Sequence, residues 1–146
     1  MLMKKFFEEI TLLGGILFYL LISLYFLFKK QYTYFLLFLI GLIFIYFITL
    51  IIRIFYFKSR PEKRAYKNFL EKIDASSFPS VHAARTIFIF LFLIYSIHNI
   101  YVIILGLGFL FLVLYSRIYL RKHDIRDIIG GIMLGIFSFI VSFYII

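Results

Sequence analysis

The longest uncharged stretch of the chain, Thr86–Ser116, has the sequence TIFIFLFLIYSIHNIYVIILGLGFLFLVLYS. As a single helix rising 1.5 Å per residue it would be about 46 Å long, well beyond a hydrocarbon core of about 30 Å. The polar pair His98-Asn99 lies near its middle, and two helices meeting there would each match the length of one membrane span. We therefore predict spans over about 79–97 and 100–120, joined by a tight turn at His98-Asn99.

The composition supports a membrane protein. Of the 146 residues, 64% are hydrophobic and 16% are charged, against roughly 45–50% and about 25% in soluble domains. A soluble domain of this size could not bury so much apolar surface, so soluble enzymes, disordered tails and nucleic-acid-binding modules are excluded. The absence of cysteine excludes disulfides and thiolate metal sites. The net charge of +9 fits loops on the cytoplasmic side, contact with anionic headgroups or a site for anionic substrates.

Three further uncharged runs complete the predicted topology. They indicate spans over about 8–28, 31–57 and 124–146, each close to the length that a bilayer requires. We expect an all-α fold, a polytopic membrane helix bundle of about five transmembrane helices that forms a single domain over residues 1–146. Such a chain would be a multi-pass protein of the cell membrane.

The polar connection between the second and third spans predicts a short interfacial amphipathic helix over about 61–73. Ser59 followed by Glu62 has the spacing of a capping box, and Pro61 suits a first helical turn. Apolar residues recur at helical spacing on one face, and charged residues fill the other. We expect this helix to lie among the lipid headgroups, with a solvated connector helix as the alternative.

Polar clusters stand at the ends of the predicted spans, and a five-span topology places all of them on one side of the membrane. His123 and Asp127, at the start of the last span, are four residues apart and share a helix face. The carboxylate can fix the tautomer of the imidazole and leave its other nitrogen as a nucleophile or base. A structural hydrogen bond is the alternative reading of this pair.

The segment Pro79-Ser80-Val81-His82 opens an apolar helix. Free N–H groups at a helix N-terminus form an anion site, the Ser80 hydroxyl adds a donor, and His82 would stand beside the anion. The alternative is a capping serine next to a histidine that faces the headgroups.

Three arginines, Arg53, Arg60 and Arg117, fall near the same face of the membrane. Guanidinium groups remain charged and match the geometry of phosphate oxygens. Each arginine taken singly could instead extend its side chain to the headgroups or follow the positive-inside rule.

Together these residues form three ordered motifs. They are Arg53-x6-Arg60-Pro61, then Pro79-Ser80-x-His82, then Ser116-Arg117-x5-His123-x3-Asp127. The set resembles the signature of the type 2 phosphatidic acid phosphatase superfamily, K-x6-R-P, P-S-G-H and S-R-x5-H-x3-D. The third motif matches fully, whereas Arg53 replaces a lysine and Val81 replaces a glycine.

The resemblance implies a mechanism and a role for each matched residue. His123 would attack phosphorus and form a phosphohistidine, Asp127 would hold its ring, and His82 would protonate the leaving oxygen and then activate water. The groups expected to bind the phosphate are Arg53, Arg60, Ser80, Val81 and Arg117. Because cationic side chains would carry the charge, we expect neither a metal nor a cofactor.

The expected substrate is an amphiphilic lipid phosphate, because the site would lie at the membrane interface between short loops. Phosphatidate, phosphatidylglycerophosphate and polyprenyl diphosphate all qualify, and we favour polyprenyl diphosphate. The alternatives are a lipid phosphotransferase, a non-enzymatic lipid transporter and an inactive scaffold. We expect membrane lipids and no nucleic acid as partners. The oligomeric state stays open, and an extracytoplasmic site is favoured.

Overall fold

The computed structural model of the protein describes residues 2–62 and 65–146. Within these ranges the chain forms helices and no strand, which confirms the predicted all-α class. The helices are α1 (Leu2–Leu12), α2 (Ile16–Phe28), α3 (Tyr32–Phe55), α4 (Phe69–Ala75), α5 (Val81–Ser96), α6 (Ile100–Tyr119) and α7 (Ile125–Ile145).

Several helices have the length and composition of membrane spans. Three of them, α3, α6 and α7, are long and apolar enough to cross a bilayer, as is the combined segment Leu2–Phe28. Helix α5 is apolar but has only 16 residues. Large apolar side chains such as Phe28, Phe55 and Leu105 are exposed on the outside of the bundle, where lipid is the matching solvent.

The first predicted span, 8–28, is not one continuous helix. Helix α1 ends at Leu12 in tight turns, in which Gly14 and Gly15 each donate to a carbonyl three residues earlier. A Cβ at Gly14 would lie 2.7 Å from Val113 Cγ1 and 2.8 Å from Thr86 Oγ1, so only glycine permits this close approach. The break lets α1 lie against α6, where Phe7 packs on Tyr119.

The chain turns at 97–99, as the sequence predicted. Ile97 ends α5, and Asn99 begins α6 by accepting hydrogen bonds from the N–H groups of Tyr101 at 2.9 Å and Val102 at 3.4 Å. An asparagine cap satisfies donors that would otherwise be left free at the helix start. The polar pair in the apolar run therefore marks the boundary between two helices.

The predicted helix over 61–73 starts later than the sequence suggested. Pro61 and Glu62 lie in a bend, 65–68 are not helical, and α4 begins at Phe69; Lys63 and Arg64 lie outside the described residues. The cap is Asn68, whose side chain accepts from the N–H of Glu71 at 2.8 Å, rather than Ser59. The capping signal at 59–62 was misleading because Glu62 instead pairs with Lys122 and donates its N–H to Arg121 O.

Helices α5 and α7 run in the same direction and pack closely along their first turns. A Cβ at Gly131 would overlap Ser80 O and lie 2.8 Å from Ala83 Cβ, so the small residue sets the spacing. The N–H of Ser80 donates to Asp127 O at 3.0 Å. The starts of these two helices, which carry the second motif and part of the third, are therefore held together.

The centre of the bundle is aromatic. Phe38, Phe88 and Phe92 are buried. The ring of Phe38 meets the other two edge-on, with its centroid 5.4 Å from that of Phe88 and 5.0 Å from that of Phe92. Tyr19 from α2 joins them, and its hydroxyl donates to Phe38 O at 2.9 Å. This core fixes α2, α3 and α5 relative to one another and leaves the polar ends of the helices at one end of the bundle.

Candidate active site

The polar ends of α3, α5, α6 and α7 surround a cavity of about 270 Å³, which we call the catalytic cavity. Its lining consists of two imidazoles, four guanidinium groups and the side chains of a tyrosine, an aspartate and a valine. The lining residues are Tyr46, Arg53, Arg60, Asp74, Val81, His82, Arg85, Arg117 and His123. Side chains from all three motifs thus meet in one place, although Arg53 and His123 are 70 positions apart in the chain.

His123 stands just before α7 and is 4% exposed. Its Nδ1 lies 3.5 Å from Oδ2 of Asp127, which is fully buried one helical turn later. Because the carboxylate lies on the Nδ1 side, the arrangement favours a proton on Nδ1 and a free lone pair on Nε2. The Nδ1 side of the ring therefore lies toward the carboxylate, at a distance that falls just short of a hydrogen bond in this structure.

Two further contacts hold the Asp127 carboxylate. Lys58 Nζ lies 2.7 Å from Asp127 Oδ1 and 2.6 Å from Asp124 Oδ2. The N–H of Asp124 donates to Asp127 Oδ2 at 3.0 Å, and Asp124 in turn caps α7 by accepting from the N–H of Asp127. This capping box and the lysine bridge leave the carboxylate little freedom, so the partner of His123 is rigid.

The charges around His123 set its protonation state. Burial lowers the pKa of His123 below its ordinary value, the Asp127 carboxylate opposes this shift, and the Arg117 guanidinium adds to it. Burial also lowers the pKa of Lys58, but its hydrogen bonds to Asp124 and Asp127 outweigh burial and raise it overall. His123 is consequently neutral, and Lys58 charged, near pH 7.

The second motif forms the first turn of α5. Ser80 is fully buried, and its hydroxyl caps the helix by accepting from the N–H of Ala83 at 3.4 Å. Val81 and His82 line the catalytic cavity, whereas Ser80 is not among the described residues that line it. The cap places His82 at the end of α5, beside the cavity.

Arg85 follows His82 by three residues and is 3% exposed. Its Nη2 lies 3.4 Å from His82 Nδ1, its Nη1 donates to the Tyr46 hydroxyl at 2.7 Å, and its Nε donates to Gly14 O at 3.1 Å. Since a guanidinium can only donate, His82 Nδ1 is an acceptor in this structure and the ring proton is on Nε2. Arg85 thus ties the α1–α2 break and α3 to the second histidine.

Arg53 lines the catalytic cavity from α3, but backbone carbonyls engage its three nitrogens. Nε donates to Phe78 O at 3.3 Å, Nη1 to Ile73 O at 3.4 Å and Nη2 to Pro79 O at 3.2 Å. These carbonyls belong to α4 and to the segment that leads into α5. Arg53 therefore fixes the loop that carries the second motif, and each of its two Nη atoms has one further N–H.

Arg60 and Arg117 line other sides of the cavity. Arg60 Nη2 donates to Asp74 O at 2.8 Å. Arg117 is 7% exposed and donates from Nη1 to the Thr11 hydroxyl at 2.9 Å, while its Nε has no partner among the described residues. The preceding Ser116 is buried and donates to Val113 O at 2.6 Å, so it serves the helix rather than the cavity.

Sequence reasoning found most of the cavity lining and missed four side chains around it. Arg85, Tyr46, Asp74 and Lys58 lie at or behind the cavity, yet none was assigned a role. Arg85 could have been found, because the spacing of three from His82 puts both on one helix face. Lys58 gave no such signal, since its partners are more than sixty residues away.

A family comparison identifies the chain. The family model of the PAP2 superfamily matches residues 34–146. The chain belongs to the PAP2 superfamily. The solved structure of LpxE from Aquifex aeolicus has a similar fold, with a TM-score of 0.79 and 20% identity over 98% of this chain and 86% of that chain. No curated protein sequence matches the chain.

The two departures from the PAP2 pattern have structural consequences. Arg53, in place of lysine, uses the planar spread of its guanidinium to reach three carbonyls, which a single ammonium on a flexible stem would not hold in the same way. Val81, in place of glycine, is the first residue of α5 and adopts helical backbone angles that need no glycine. Its side chain adds an apolar wall to the cavity of this PAP2 protein.

No group of three or more histidine, cysteine, aspartate or glutamate side chains that could hold a metal occurs in the part of the chain that the structure describes. Asp127 and Asp124 both pair with the Lys58 ammonium, and Asp74 lines the cavity. Four arginines outnumber this aspartate among the described lining residues, so a phosphate in the cavity would meet a net positive charge.

Proposed function

We propose that this PAP2 protein is a lipid phosphatase in which His123 is the nucleophile. The observation that carries the proposal is the catalytic cavity itself, where both motif histidines and four guanidinium groups surround about 270 Å³. Phosphoryl transfer depends mainly on positioning and on stabilising the charge of the equatorial oxygens. The buried cations would stabilise the charge, and the His123 imidazole, next to Asp127, would be the positioned nucleophile.

In the first step, the Nε2 lone pair of His123 forms a bond to phosphorus, and the bond from phosphorus to the lipid oxygen breaks. The leaving oxygen takes a proton from His82 and departs as an alcohol. In the second step, a water oxygen attacks the phosphohistidine while His82 accepts its proton, and the P–N bond breaks to release phosphate and neutral His123. Asp127 stabilises the positive charge that His123 carries between the steps.

His82 must be an imidazolium to act as the acid. Its contact with Arg85 requires the neutral ring, because Nδ1 is the acceptor there. A bound phosphate changes this balance, because its negative charge offsets the surrounding guanidinium groups and gives Arg85 Nη2 another acceptor. We infer that His82 gains its second proton when the substrate binds. Arg85 then acts as a positioning residue. While no substrate is bound, its contact with Nδ1 keeps the His82 ring in the neutral form.

The arginines would hold the equatorial oxygens. Arg117 lines the cavity while Thr11 holds its Nη1, and Arg60 adds a second guanidinium. Arg53 would contribute through the N–H groups that its three carbonyl contacts leave over. Val81 would contribute its backbone N–H at the first turn of α5. The N–H of Ser80 already donates to Asp127 O, so Ser80 would contribute its hydroxyl.

A lipid substrate fits the position of the cavity at the end of apolar helices that have the composition of membrane spans. Phosphatidate, phosphatidylglycerophosphate and polyprenyl diphosphate are the candidates to be compared. The test is phosphate release by purified protein from this panel, with His123→Ala as the inactive control. Substrate labelled in the phosphate should leave an acid-labile, alkali-stable label on the wild type and none on His123→Ala. Release without such a label would contradict the covalent mechanism.

The side of the membrane on which the cavity opens is part of the proposal, and we favour the extracytoplasmic side. Several cations at this end belong to the site, so they do not count toward the positive-inside rule. Because the chain has no cysteine, Lys67→Cys places a single thiol in the exposed segment before α4. A membrane-impermeant reagent should label it in intact cells. Labelling only after lysis would place the site in the cytoplasm.

A further inference from the structure

The chain breaks between α1 and α2 at the end of the bundle that holds the catalytic cavity. Thr11, on the last turn of α1, and Gly14, in the break, each contact an arginine that lines this cavity. We call residues 11–14 the break segment. It precedes residues 34–146, which match the family model, so none of the three motifs assigns it a role.

The Arg117 side chain depends on Thr11 for its orientation. Nη1 donates to the Thr11 hydroxyl at 2.9 Å, and this is the one hydrogen bond from the guanidinium to the part of the chain that the structure describes. Arg53, by contrast, donates to three carbonyls, and each nitrogen of the Arg85 guanidinium has a partner. Because an arginine side chain has many rotamers, loss of the Thr11 contact would free the Arg117 guanidinium to leave its present orientation.

Helix α1 is fixed where this contact requires it. Phe7 is 5% exposed and packs against Tyr119 and Tyr115 of α6, with ring centroids 4.5 Å and 5.5 Å away. Thr11 follows Phe7 by four residues, so both side chains lie on the same face of α1. The packed phenylalanine therefore holds Thr11 against the end of α6 that carries Arg117.

The break segment also contacts the second motif. Gly14 O accepts a hydrogen bond from Arg85 Nε at 3.1 Å, and a Cβ at Gly14 would lie 3.6 Å from His82 Cδ2, so this backbone passes beside the His82 ring. Both acceptors that the segment offers to arginines, a hydroxyl and a carbonyl, are neutral. They orient the guanidinium groups and leave their positive charge to an anion in the cavity.

We propose that Thr11 is a positioning residue of the phosphate site, whose hydroxyl holds the Arg117 guanidinium in the orientation that binds an oxygen of a tetrahedral phosphate. The inference rests on the proposed function, which identifies the anion as the phosphate of the substrate. A guanidinium that is fixed before the anion arrives loses less freedom on binding. The contact therefore raises the affinity of the catalytic cavity for phosphate and for its analogue vanadate.

The test is the Kd of orthovanadate, measured by calorimetry on the purified protein. Thr11→Val removes the hydroxyl and keeps the shape of the side chain, and we expect it to raise the Kd about fivefold, the value of one hydrogen bond. Thr11→Ser keeps the hydroxyl and should bind as the wild type does, and Thr11→Cys, whose thiol is a weak acceptor, should fall between the two. Thr33→Val, at the opposite end of the bundle near the start of α3, is the matched control and should leave the Kd unchanged.

A double-mutant cycle shows whether Thr11 acts through Arg117. Arg117→Lys keeps a positive charge in the cavity but lacks the Nη1 atom that Thr11 holds. Thr11→Val in this background should change the Kd by less than about twofold, because the partner of the hydroxyl is already gone. A second loss of about fivefold would show that Thr11 supports only the fold. An unchanged or lower Kd in Thr11→Val itself, whatever its Tm, would also overturn the proposal.

Vanadate binding needs no turnover, so this inference and the phosphatase proposal fail separately. The expected series of Kd values in a protein that releases no phosphate from any lipid phosphate would refute the phosphatase proposal alone. Phosphate release by the wild type, together with an unchanged Kd and an unchanged kcat/KM in Thr11→Val, would refute the role of Thr11 alone.

Discussion

Lys58 offers the sharpest test of how the nucleophile is tuned. Its ammonium lies 2.7 Å from Asp127 Oδ1, and the other oxygen of that carboxylate lies 3.5 Å from His123 Nδ1. The ammonium and the imidazole are therefore at most about 8 Å apart, the sum of the two contacts and the width of the carboxylate. At an effective dielectric constant of about 20, two charges at that distance repel by about 2 kcal/mol. Because Lys58 is partly exposed, solvent reduces this to about one unit of pKa.

The sign of the effect follows from the protonation state of the nucleophile. Removal of the Lys58 charge makes imidazolium formation easier and raises the pKa of His123. Only the neutral ring attacks phosphorus, so activity is lost as the pH falls through this pKa. In Lys58→Met the acid limb of the kcat/KM profile should move up by about one pH unit. The other groups around His123, namely Arg60, Arg117, His82 and Asp127, are unchanged.

The assay is the pH dependence of phosphate release, measured on protein that elutes as a single species. Lys58→Cys treated with 2-bromoethylamine restores an ammonium at the only thiol in the chain and should return the limb to its wild-type position. Lys122→Met removes a neighbouring cation that pairs with exposed Glu62, and its limb should not move. A Lys58→Met profile that is uniformly lower but unshifted would show that Lys58 supports only the fold.

Three further outcomes are expected. Activity should survive EDTA and be inhibited by vanadate; a requirement for Mg²⁺ would refute phosphate binding by arginines alone. His82→Ala should slow the initial burst about 10²–10⁴-fold with a lipid monophosphate and much less with a diphosphate, whose leaving group needs no proton, as measured by rapid mixing. Burial raises the pKa of Asp124, but its bond to Lys58 lowers it overall. The stability that ionised Asp124 contributes should therefore be lost as the pH falls through the lowered pKa. The melting temperature of Asp124→Asn should not show this loss at acid pH.

The sequence predicted those parts of the molecule that depend on local pattern. Uncharged runs located the long helices α3, α6 and α7, and the polar pair at 98–99 located the turn between α5 and α6. The three motifs placed His82, His123 and Arg117 in one cavity because their order and spacing fix the ends of the helices that carry them. These features follow from composition and helical period, which are both local properties.

Features that depend on distant partners could not be predicted in this way. The start of α4 was misplaced because Glu62 pairs across the fold with Lys122 instead of capping a helix. The break at Gly14 depends on the proximity of Thr86 and Val113, which no local pattern reports. Lys58 likewise gains its role only when α7 brings Asp124 and Asp127 to it.

Contacts to backbone oxygens explain why so many cations can share a small buried site. Arg53 donates to three carbonyls, and Arg85 donates to Gly14 O and to the Tyr46 hydroxyl. These acceptors orient the guanidinium groups without neutralising their charge, whereas carboxylate partners would have cancelled it. The remaining positive charge is what a phosphate entering the cavity meets. The site is thus preorganised for an anion before the substrate arrives, and the packing of the fold offsets the repulsion between the cations.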